Sequence, residues 1–332
     1  MKFLKVKKER AQEFRRKILA AGVLDGSASV EREGEHVFFP VTSDPKIRGA
    51  ALVEREGKRR QRRPRSMKDA LKGILTCGEM ESLQSSYNVV GDIAILEFDE
   101  ELLPKSGQIG GAMLETFHNI KVVALKTEQV SGEYRVPGIK VLAGDNRTET
   151  IHKEHGCVYK LDVAEAYFSP RLGHERLRVV EQIRDGERVL VMFAGVGPYA
   201  VLAAKMRKCE LTAVELNPKA VEYMRWNVLR NKVKVDVIEG DAKAVLPTLG
   251  KFDRIIMPLP KQADTFLKVT LPALKAGGMI HYYTFAHNSL EATGHLAETV
   301  ATLGGRIRVE DAVECGSYSP CMARYCVDFT LQ

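Results

Sequence analysis

Glycines and acidic residues recur at the ends of short apolar segments in the second half of the sequence. Gly195 and Gly197 lie in the stretch FAGVGPYA, Glu215 ends the next apolar segment, and Asp241 follows the third. Glycines at a strand-to-helix turn let the backbone approach a ligand, and the amino end of the helix favours an electron-rich group. A carboxylate at the next strand end can accept both ribose hydroxyls of an adenosine. A further acid suits an adenine amino group that needs an acceptor.

These residues meet only if a parallel sheet brings the strand ends to one edge. From residue 188 onward, short apolar segments alternate with helix-length segments, which predicts a doubly wound, largely parallel sheet of the α/β class. The last two apolar segments, IRVEDAV and RYCVDFTLQ, are joined by the turn-rich ECGSYSP, which predicts an antiparallel edge. The glycines alone also fit an NAD-dependent dehydrogenase. The whole series favours S-adenosylmethionine as the cofactor.

The first half of the chain predicts two smaller α+β domains. Residues 7–24 have the pattern of an amphipathic helix, and a short strand follows near residues 37–42. After residue 67, helix patterns alternate with strand patterns near residues 88–98 and 120–128. The predicted domains are therefore residues 1–60, 67–170 and 171–332.

Positive charge is concentrated in the amino-terminal part. The net charge is +7, yet residues 1–72 hold 20 Lys and Arg against 10 Asp and Glu, while the other 260 residues hold 30 against 33. The densest part is KRRQRRPR at residues 58–65. Such a run fits a solvated linker, and one-sided positive charge also predicts contact with the phosphate backbone of a nucleic acid.

Composition argues against several other classes. No apolar run approaches the roughly 18 residues that span a bilayer, and the charged start does not resemble a signal peptide, so we expect a cytoplasmic protein without membrane contact. The six cysteines show no CxxC spacing, which argues against a zinc site or a disulfide scaffold. His152 and His155 flank Glu154, but this spacing is weak without a third ligand. We therefore predict no metal site.

Several motifs together resemble a known family. AGDNRTETIHKEHG, DVAEAYFSPRLGHER, FAGVGPY, ELNPKAVEYMRWNV, IIMPLPK, GGMIHYYTF and SYSP are similar, in order and spacing, to motifs of the tRNA (guanine-37-N1) methyltransferases of archaea and eukaryotes. The resemblance covers nearly the whole chain. It implies a class I, Rossmann-like methyltransferase domain that converts S-adenosylmethionine to S-adenosylhomocysteine, preceded by two RNA-binding domains. The implied partner is tRNA, contacted at the anticodon loop and the outer corner, and we expect a monomer.

Methylation of guanine nitrogen 1 needs a base, because this nitrogen carries a proton whose loss places negative charge on oxygen 6. A carboxylate as general base and a guanidinium beside oxygen 6 meet these needs. The resemblance implies Glu175 for the first role and Arg135 for the second. From the residues alone, Glu175 would instead form a helix salt bridge with Arg176 or Arg178, and Arg135 would be a surface residue.

The other predicted site residues lie in the same motifs or among the basic residues. The predicted cofactor contacts are Arg176, Phe193, Gly195, Gly197, Glu215, Leu216, Asp241, Ala242 and Pro258, of which Arg176, Leu216 and Ala242 are implied by the resemblance. The predicted substrate contacts are Pro258, Pro260, Lys126, Arg147 and Arg171.

Two positions depart from the family pattern. Val191 stands where the family often has an acid, which puts one polar contact to the methionine end of the cofactor in doubt. Pro258 stands where the family commonly has an asparagine, and a proline offers a base edge only its carbonyl. An archaeal branch with such replacements also methylates carbon 7 of the tricyclic wyosine precursor at the same nucleotide. The resemblance therefore leaves a second activity open.

Two other functions stay open from the sequence. An RNA carbon-5 pyrimidine methyltransferase needs a cysteine nucleophile, and Pro320 and Cys321 form a Pro-Cys pair, although we place this pair in the terminal hairpin, away from the methyl donor. A non-catalytic tRNA-binding protein could use the same fold as a scaffold. The joint presence of Glu175, Arg135, Glu215 and Asp241 argues against a scaffold alone.

Overall fold

The structure is a computed structural model that describes residues 1–59, 64, 66–83, 87–131, 136–319 and 321–332. The chain divides into two compact units, residues 1–70 and 71–332. The predicted catalytic residue Arg135 and most of the basic run 58–65 lie outside the described residues. The predicted domain boundary near residue 170 stays a prediction.

The amino-terminal unit is an antiparallel sheet covered by a helix. Its described elements are β1 (Lys2–Lys7), α1 (Ala11–Ala20), β2 (Glu31–Glu33), β3 (His36–Pro40), β4 (Ala51–Glu54) and α2 (Met67–Ala70). The strands pair in the order β2-β3-β1-β4. Phe14 and Ile18, on one side of α1, are buried against Leu4, Val6 and Val37. This small core holds the helix on the sheet.

The start of the chain differs from the predicted helix over residues 7–24. Residues 2–7 form β1, and α1 begins only at Ala11, after a 3-10 helix at Lys8–Arg10. The predicted helix is therefore too long at both ends, because Lys7 pairs with His36 of β3 and α1 ends at Ala20 rather than at residue 24. Backbone pairing in the sheet outweighs the local helix propensity of Lys7.

The second unit begins with a mixed sheet. Its elements are α3 (Cys77–Ser82), β5 (Asn88–Val90), β6 (Ile93–Leu96), α4 (Ser106–Thr116), β7 (Val122–Ser131), β8 (Val136–Gly144), β9 (Glu149–Glu154) and β10 (Cys157–Asp162). The strand order is β5-β6-β7-β8, and α4 connects the parallel strands β6 and β7. A Cβ on Gly110 would lie 3.1 Å from the Cβ of Ala143, so this glycine lets α4 pack closely on β8. β9 and β10 form a separate antiparallel pair.

The rest of the unit is built on a large sheet of seven described strands. Its elements are α5 (Gly173–Glu181), β11 (Arg188–Met192), α6 (Pro198–Met206), β12 (Glu210–Glu215), α7 (Pro218–Asn231), β13 (Asp236–Glu239), α8 (Ala242–Val245), β14 (Phe252–Met257), α9 (Asp264–Thr270), β15 (Leu274–Ala286), α10 (Ser289–Thr302), β16 (Ile307–Ser319) and β17 (Met322–Leu331). The strand order is β13-β12-β11-β14-β15-β17-β16, and β17 runs antiparallel to both of its neighbours. The predicted α/β class and antiparallel edge are confirmed.

The last hairpin has a shorter connection than the sequence predicts. The segment ECGSYSP was expected to join the two final strands, yet β16 continues through Ser319 and β17 begins at Met322. The register shifts between Glu314 and Gly316 and again between Ser317 and Ser319. Such bulges accommodate extra residues without ending the pairing, which is why the predicted position of the turn was wrong.

Helix α7 binds the β9–β10 pair through two asparagine side chains. Asn227 accepts a hydrogen bond from the Lys160 amide at 2.7 Å and donates to its carbonyl at 3.1 Å. Asn231 does the same at Val158, at 2.9 and 2.7 Å. Four residues of helix span about 6 Å and two residues of strand about 7 Å, so the two spacings match. The side-chain amides of Asn227 and Asn231 thus bond the backbone of β10 as a neighbouring strand would.

Apolar side chains join these layers into one unit. One cluster packs β14 and β15 against α9 and α10, and a second packs β11 and β12 against α5, α6 and α7. A third cluster contains Val90, Ile93 and Val122 from the mixed sheet together with Leu161 and Val196. Because this core runs continuously from one sheet to the next, residues 71–332 form a single compact body.

Candidate active site

The carboxyl ends of the parallel strands meet at one edge of the large sheet, and the predicted glycines lie there. Gly195 and Gly197 follow β11 with φ angles of 56° and 85°, a left-handed region that glycine adopts at low cost. A Cβ on Gly197 would lie 2.8 Å from Met224 Cγ, so this glycine also serves packing. For Gly195, the nearest atom of the described residues would be the Tyr167 carbonyl oxygen, at 3.6 Å. The backbone at Gly195 therefore leaves room for a ligand.

Glu215, at the end of β12, is held by backbone amides of this edge. Its Oε2 accepts a hydrogen bond from the Gly195 amide at 2.7 Å, and its Oε1 accepts from the amides of Leu216 and Asn217 at 2.9 and 2.8 Å. Burial raises the pKa of Glu215 above its ordinary value, while the amide donors oppose the rise. A carboxylate offers about four acceptor sites, so a site remains for a ribose hydroxyl.

Three more predicted cofactor residues border the glycine turn and the neighbouring strand end. Phe193 packs edge-on against Phe266, with ring centroids 4.6 Å apart. Asp241 is exposed and caps α8, and Ala242 behind it is buried. An aromatic side chain after β11 and an exposed carboxylate after β13 suit a flat ring that carries an amino group. These residues would hold an adenine, and their cofactor contacts stay a prediction.

Glu175, the predicted general base, is buried on α5 with 6% of its surface exposed. Arg178 donates to both carboxylate oxygens, from Nε at 2.7 Å and from Nη2 at 2.8 Å. Tyr283 donates its hydroxyl to Oε1 at 2.6 Å, and the Tyr199 hydroxyl lies 2.8 Å from that of Tyr283. Burial raises the pKa of both tyrosines well above the ordinary value, so they keep their protons. The carboxylate therefore sits in a fixed set of donors.

The arginine that binds Glu175 is itself anchored from β17. Asp328 accepts from Arg178 Nη1 at 2.7 Å and from His281 Nδ1 at 2.6 Å. Burial lowers the pKa of His281, so the neutral ring donates to Asp328 and its Nε2 accepts from Arg254 at 2.8 Å. Although burial opposes ionisation of Asp328, these donors hold its pKa well below the ordinary value. Glu175 is thus one end of a buried network that crosses three strands.

Part of this network also has the composition of a metal site. One donor atom each from His281, Cys326 and Asp328 lie within 4.8 Å of one another. Cys326 Sγ already lies 3.2 Å from Asp328 Oδ1, and burial raises the pKa of this thiol well above its ordinary value. The thiolate is the form that binds metals. The three side chains therefore fit a hydrogen-bonded core better than a metal centre.

Arg176, predicted to contact the cofactor, is 2% exposed and bound to Glu154. Its Nε and Nη2 donate to the two carboxylate oxygens at 2.8 and 2.5 Å, and Nη2 also donates to the Ser169 carbonyl at 3.1 Å. Although burial opposes it, the nearby His152 and the hydrogen bonds from Arg176 lower the pKa of Glu154 to about 2. The alternative of a Glu175–Arg176 pair is wrong, while that of a Glu175–Arg178 pair is confirmed.

The two prolines stand where β14 leaves the sheet. The Leu259 amide donates to the Met257 carbonyl at 2.8 Å, which closes a three-residue turn around Pro258. Proline has no backbone N–H, so Pro258 and Pro260 have no donor that needs a partner where the strand ends. The pairing of β14 with β15 ends at Met257 opposite Tyr282, and Pro258 follows Met257 directly. The proline turn therefore begins next to the part of β15 that carries Tyr283, the partner of Glu175.

The basic residues predicted to contact substrate are in different places. Lys126 forms an ion pair with Glu97, and Arg147 binds both oxygens of Asp92 at 3.1 and 2.6 Å. Arg171 is exposed on the 3-10 helix that precedes α5. The fold thus places Arg171 on the same segment as the buried Glu175 site, and it ties the other two to carboxylates of the mixed sheet. Their substrate contacts stay predictions.

Sequence reasoning missed the residues that hold Glu175. Tyr283 and His281 lie in HYYTF, part of a motif that carried the family resemblance, and both faces of this strand are buried. No role was predicted for Asp328 or Tyr199. The available signal was a histidine inside an otherwise apolar strand, because buried polar side chains need partners.

The strand order, the antiparallel β17, the glycine turn after β11 and the acid that ends β12 define a class. The protein is an S-adenosylmethionine-dependent methyltransferase of the Rossmann-like class I fold. None of the helices in the described part of the chain combines the length and the hydrophobicity needed to cross a membrane.

Comparisons with known proteins give the family. Residues 150–304 match the TRM5/TYW2 methyltransferase domain, residues 67–148 the TYW2 N-terminal domain, and residues 4–48 the tRNA methyltransferase 5 N-terminal domain. The tRNA (guanine(37)-N(1))-methyltransferase Trm5b of Pyrococcus abyssi is 38% identical over 331 residues, which cover 98% of each chain. The chain belongs to the Trm5/TYW2 methyltransferase family.

Solved structures agree with this assignment. The crystal structure of Pyrococcus abyssi Trm5b aligns with a TM-score of 0.73 at 37% identity, over 100% of this chain and 99% of that chain. A structure described as the complex of aTrm5 and tRNALeu aligns with a TM-score of 0.80 at 30% identity, over 99% of each chain. The tRNA (guanine(37)-N(1))/4-demethylwyosine(37)-methyltransferase Taw22 of Nanoarchaeum equitans is 34% identical over 255 residues, 61% of this chain and 84% of its own.

Proposed function

We propose that the protein transfers a methyl group from S-adenosylmethionine to nitrogen 1 of guanosine 37 in tRNA. The observation that carries the proposal is the buried carboxylate of Glu175, held by Arg178 and Tyr283 beside the edge where the cofactor residues gather. Similarity over nearly the full length to a relative named for this reaction supports it. We expect the enzyme to act as a monomer in the cytoplasm.

The geometry suggests how the reaction proceeds. Glu175 accepts the proton of guanine nitrogen 1, while Arg178 and Tyr283 keep the carboxylate in one orientation. Arg135 stabilises the negative charge that develops on oxygen 6. The freed lone pair of nitrogen 1 then forms a bond to the methyl carbon as the bond from that carbon to sulfur breaks. S-adenosylmethionine supplies this electrophilic methyl group when it is bound.

The cofactor would be held along the carboxyl edge of the sheet. The turn at Gly195 gives the backbone room, Glu215 accepts from the ribose, and Asp241 accepts from the adenine amino group. Phe193, Leu216 and Ala242 would contact the adenosine from the same edge. Gly197 acts through the turn that it permits, because its Cβ position is already blocked by Met224.

The tRNA is the partner that the charge distribution suits. The amino-terminal unit carries most of the excess of lysine and arginine, and tRNA presents a continuous phosphate backbone. We propose that this unit contacts the outer corner and that the large sheet receives the anticodon loop. Arg171 would meet the phosphates close to the target nucleotide, since it is exposed on the segment that leads to Glu175.

A second activity, methylation of carbon 7 of the tricyclic wyosine precursor at the same nucleotide, is favoured by Pro258. A proline turn without a side-chain amide leaves an apolar border that a larger base can occupy, and carbon attack needs no loss of an N–H proton. Pro258→Asn should raise activity on guanosine and lower it on the precursor. Equal activity of the variant and the parent on both substrates would remove this second proposal.

The decisive experiment is mass spectrometry of nucleosides after incubation with S-adenosylmethionine. Unmodified tRNA transcript should yield 1-methylguanosine at position 37, and tRNA that carries the tricyclic precursor should yield its methylated form if the second proposal holds. A transcript with adenosine at position 37 is the matched control. Absence of 1-methylguanosine from the guanosine transcript would overturn the main proposal.

The same assay separates the rival functions. The turn of the final hairpin lies at the carboxyl edge of the sheet, because Ala286 at the end of β15 pairs with Ala323. Cys321 is exposed there, at the same edge as the predicted cofactor residues, so its position does not exclude a pyrimidine methyltransferase in the way that the sequence led us to expect. A carbon-5 pyrimidine methyltransferase would lose all activity in Cys321→Ala and would produce 5-methylpyrimidine. A scaffold protein would bind tRNA and transfer no methyl group.

A further inference from the structure

Four side chains beside the proline turn form a surface that the proposed chemistry does not use. Phe285 of β15 packs on Tyr318 of β16, with ring centroids 4.1 Å apart and planes tilted by 33°. The Lys261 Nζ lies 5.4 Å from the centroid of the Tyr318 ring. The guanidinium carbon of Arg324 lies 5.5 Å from the centroid of the Phe285 ring. We call these four residues the aromatic ledge.

The aromatic ledge lies outward from the Glu175 site. Tyr283, the hydrogen-bond partner of Glu175, and Phe285 are two residues apart on β15, so their side chains leave the same face of the sheet. β17 pairs Arg324 directly with Phe285. Two residues along a strand correspond to about 7 Å, so the ledge begins one such step from the partner of the predicted base.

Two features of the aromatic ledge indicate a ligand. Tyr318 is 52% exposed although its ring is stacked on one side. Arg324 Nε is buried and has no hydrogen-bond partner among the described residues. Buried polar groups in native proteins nearly always have partners, and guanidinium groups bind phosphates strongly. An exposed tyrosine ring with one cation beside it, and a second cation beside the phenylalanine on which it packs, therefore fits a flat ring that carries an anionic group.

We propose that the aromatic ledge binds the nucleotide next to the methylated purine, with its base on Tyr318 and its phosphate at Lys261 and Arg324. This inference rests on the proposed function and extends it to the flanking residue of the RNA. The target purine must leave the stack of its neighbours to reach Glu175, and this exposes the face of a flanking base. An aromatic side chain restores stacking with any base, and cations pair with its phosphate.

Stacking of a base on Tyr318 can be measured with the fluorescent base 2-aminopurine. An anticodon stem-loop RNA with 2-aminopurine at position 36 or at position 38 is bound to the full-length enzyme loaded with S-adenosylhomocysteine. At one of the two positions, we expect the bound probe to be dimmer in the wild type than in Tyr318→Ala, since stacking quenches 2-aminopurine. Tyr318→Ala should raise the Kd for the RNA about tenfold. Tyr318→Phe should keep both properties.

The proposed contact between Arg324 and a phosphate is tested by the salt dependence of RNA binding. In a plot of the logarithm of RNA affinity against the logarithm of salt concentration, Arg324→Gln should reduce the slope by about one, and Arg324→Lys should retain it. Val309→Ala is the control, because Val309 is an exposed apolar residue of β16, the strand that carries Tyr318 and pairs with β17, which carries Arg324. It should bind RNA like the wild type, with the same salt slope.

The results separate this inference from the proposed function. Unchanged Kd and probe fluorescence in Tyr318→Ala, in an enzyme that methylates guanosine 37, overturn the aromatic ledge alone. A wild-type enzyme that transfers no methyl group to guanosine 37 overturns the proposed function alone when RNA binding still depends on Tyr318. The affinity of each variant for S-adenosylmethionine should equal that of the wild type, which confirms that the cofactor edge is intact.

Discussion

The two carboxylates at the active edge, Glu215 and Glu175, are held by different kinds of donor. Glu215 accepts three hydrogen bonds from backbone amides, two of them within two residues of itself in the chain. Glu175 accepts from the side chains of Arg178 and Tyr283, and Arg178 is fixed in turn by Asp328. The backbone that forms the fold therefore also forms the first carboxylate site. The second depends on side chains from distant parts of the chain.

This difference separates binding from catalysis. Backbone amides cannot be changed by substitution, so the position of Glu215 is as constant as the turn at Gly195. Side-chain donors can be exchanged singly, so the orientation of the Glu175 carboxylate is open to adjustment. We expect substitutions on the Glu215 side to change cofactor affinity and those on the Glu175 side to change the rate of methyl transfer.

The largest effect is expected from Glu175→Gln. An amide has the same shape but cannot accept the proton of guanine nitrogen 1, so the single-turnover rate should fall about 10²- to 10⁴-fold. The Kd for S-adenosylmethionine should stay within about twofold. Glu181→Gln is the matched control, because Glu181 is exposed on the same helix. A near wild-type rate in Glu175→Gln would show that another group is the base.

Glu215→Gln should weaken cofactor binding rather than slow methyl transfer. The amide nitrogen of glutamine would face backbone N–H donors that the carboxylate now accepts from, and one acceptor for the ribose is lost. We expect a roughly 10- to 100-fold higher Kd for S-adenosylmethionine, measured by calorimetry. The rate at saturating cofactor should change little. Glu210→Gln, at the exposed start of the same strand, is the control.

Arg178→Lys should produce a smaller loss of rate. A lysine has one nitrogen and cannot bridge Glu175 and Asp328 in the way that the planar guanidinium does. We expect a roughly tenfold lower single-turnover rate, because the carboxylate loses its fixed orientation. Cofactor affinity should be unchanged. Arg184→Lys, at an exposed position after the same helix, is the control. A change in cofactor affinity with an unchanged rate would reverse the assignment of the two carboxylates.

The smallest effect is a pH dependence on the Glu215 side. The raised pKa means that the folded protein binds the proton of Glu215 more tightly than the unfolded chain does. The protonated carboxyl therefore adds to the free energy of unfolding below the ordinary pKa of 4.5, and this addition is lost as the pH rises through the raised pKa. Ribose binding needs the ionised form, so cofactor affinity should rise severalfold over the same window. Calorimetry across this window should show no such change in Glu215→Gln. A pH-independent Kd in the wild type would contradict the prediction.

Hydrogen-bond partners of the site that lie close together in the sequence could be predicted, whereas partners that lie far apart could not. Gly195 and Glu215 lie 20 residues apart in one strand-helix-strand unit, and their motifs predicted both the sheet and the cofactor edge. Tyr283 lies 108 residues from Glu175, and Asp328 lies 150 residues from Arg178. Local patterns carry no information on such pairs, because strand order and register decide which side chains meet.

The sequence by itself determined the α/β class, the antiparallel edge, the cofactor and the family. The first three follow from periodicity, from glycines after a strand and from acids at strand ends, all of which are local properties, whereas the family rests on the resemblance of whole motifs to those of known members. The tertiary structure alone decided which donors hold Glu175, that Arg176 binds Glu154, and that Phe285, Tyr318, Lys261 and Arg324 meet beside the prolines. The physical reason is that a buried polar group requires a partner, while the fold, through its strand order, selects which one.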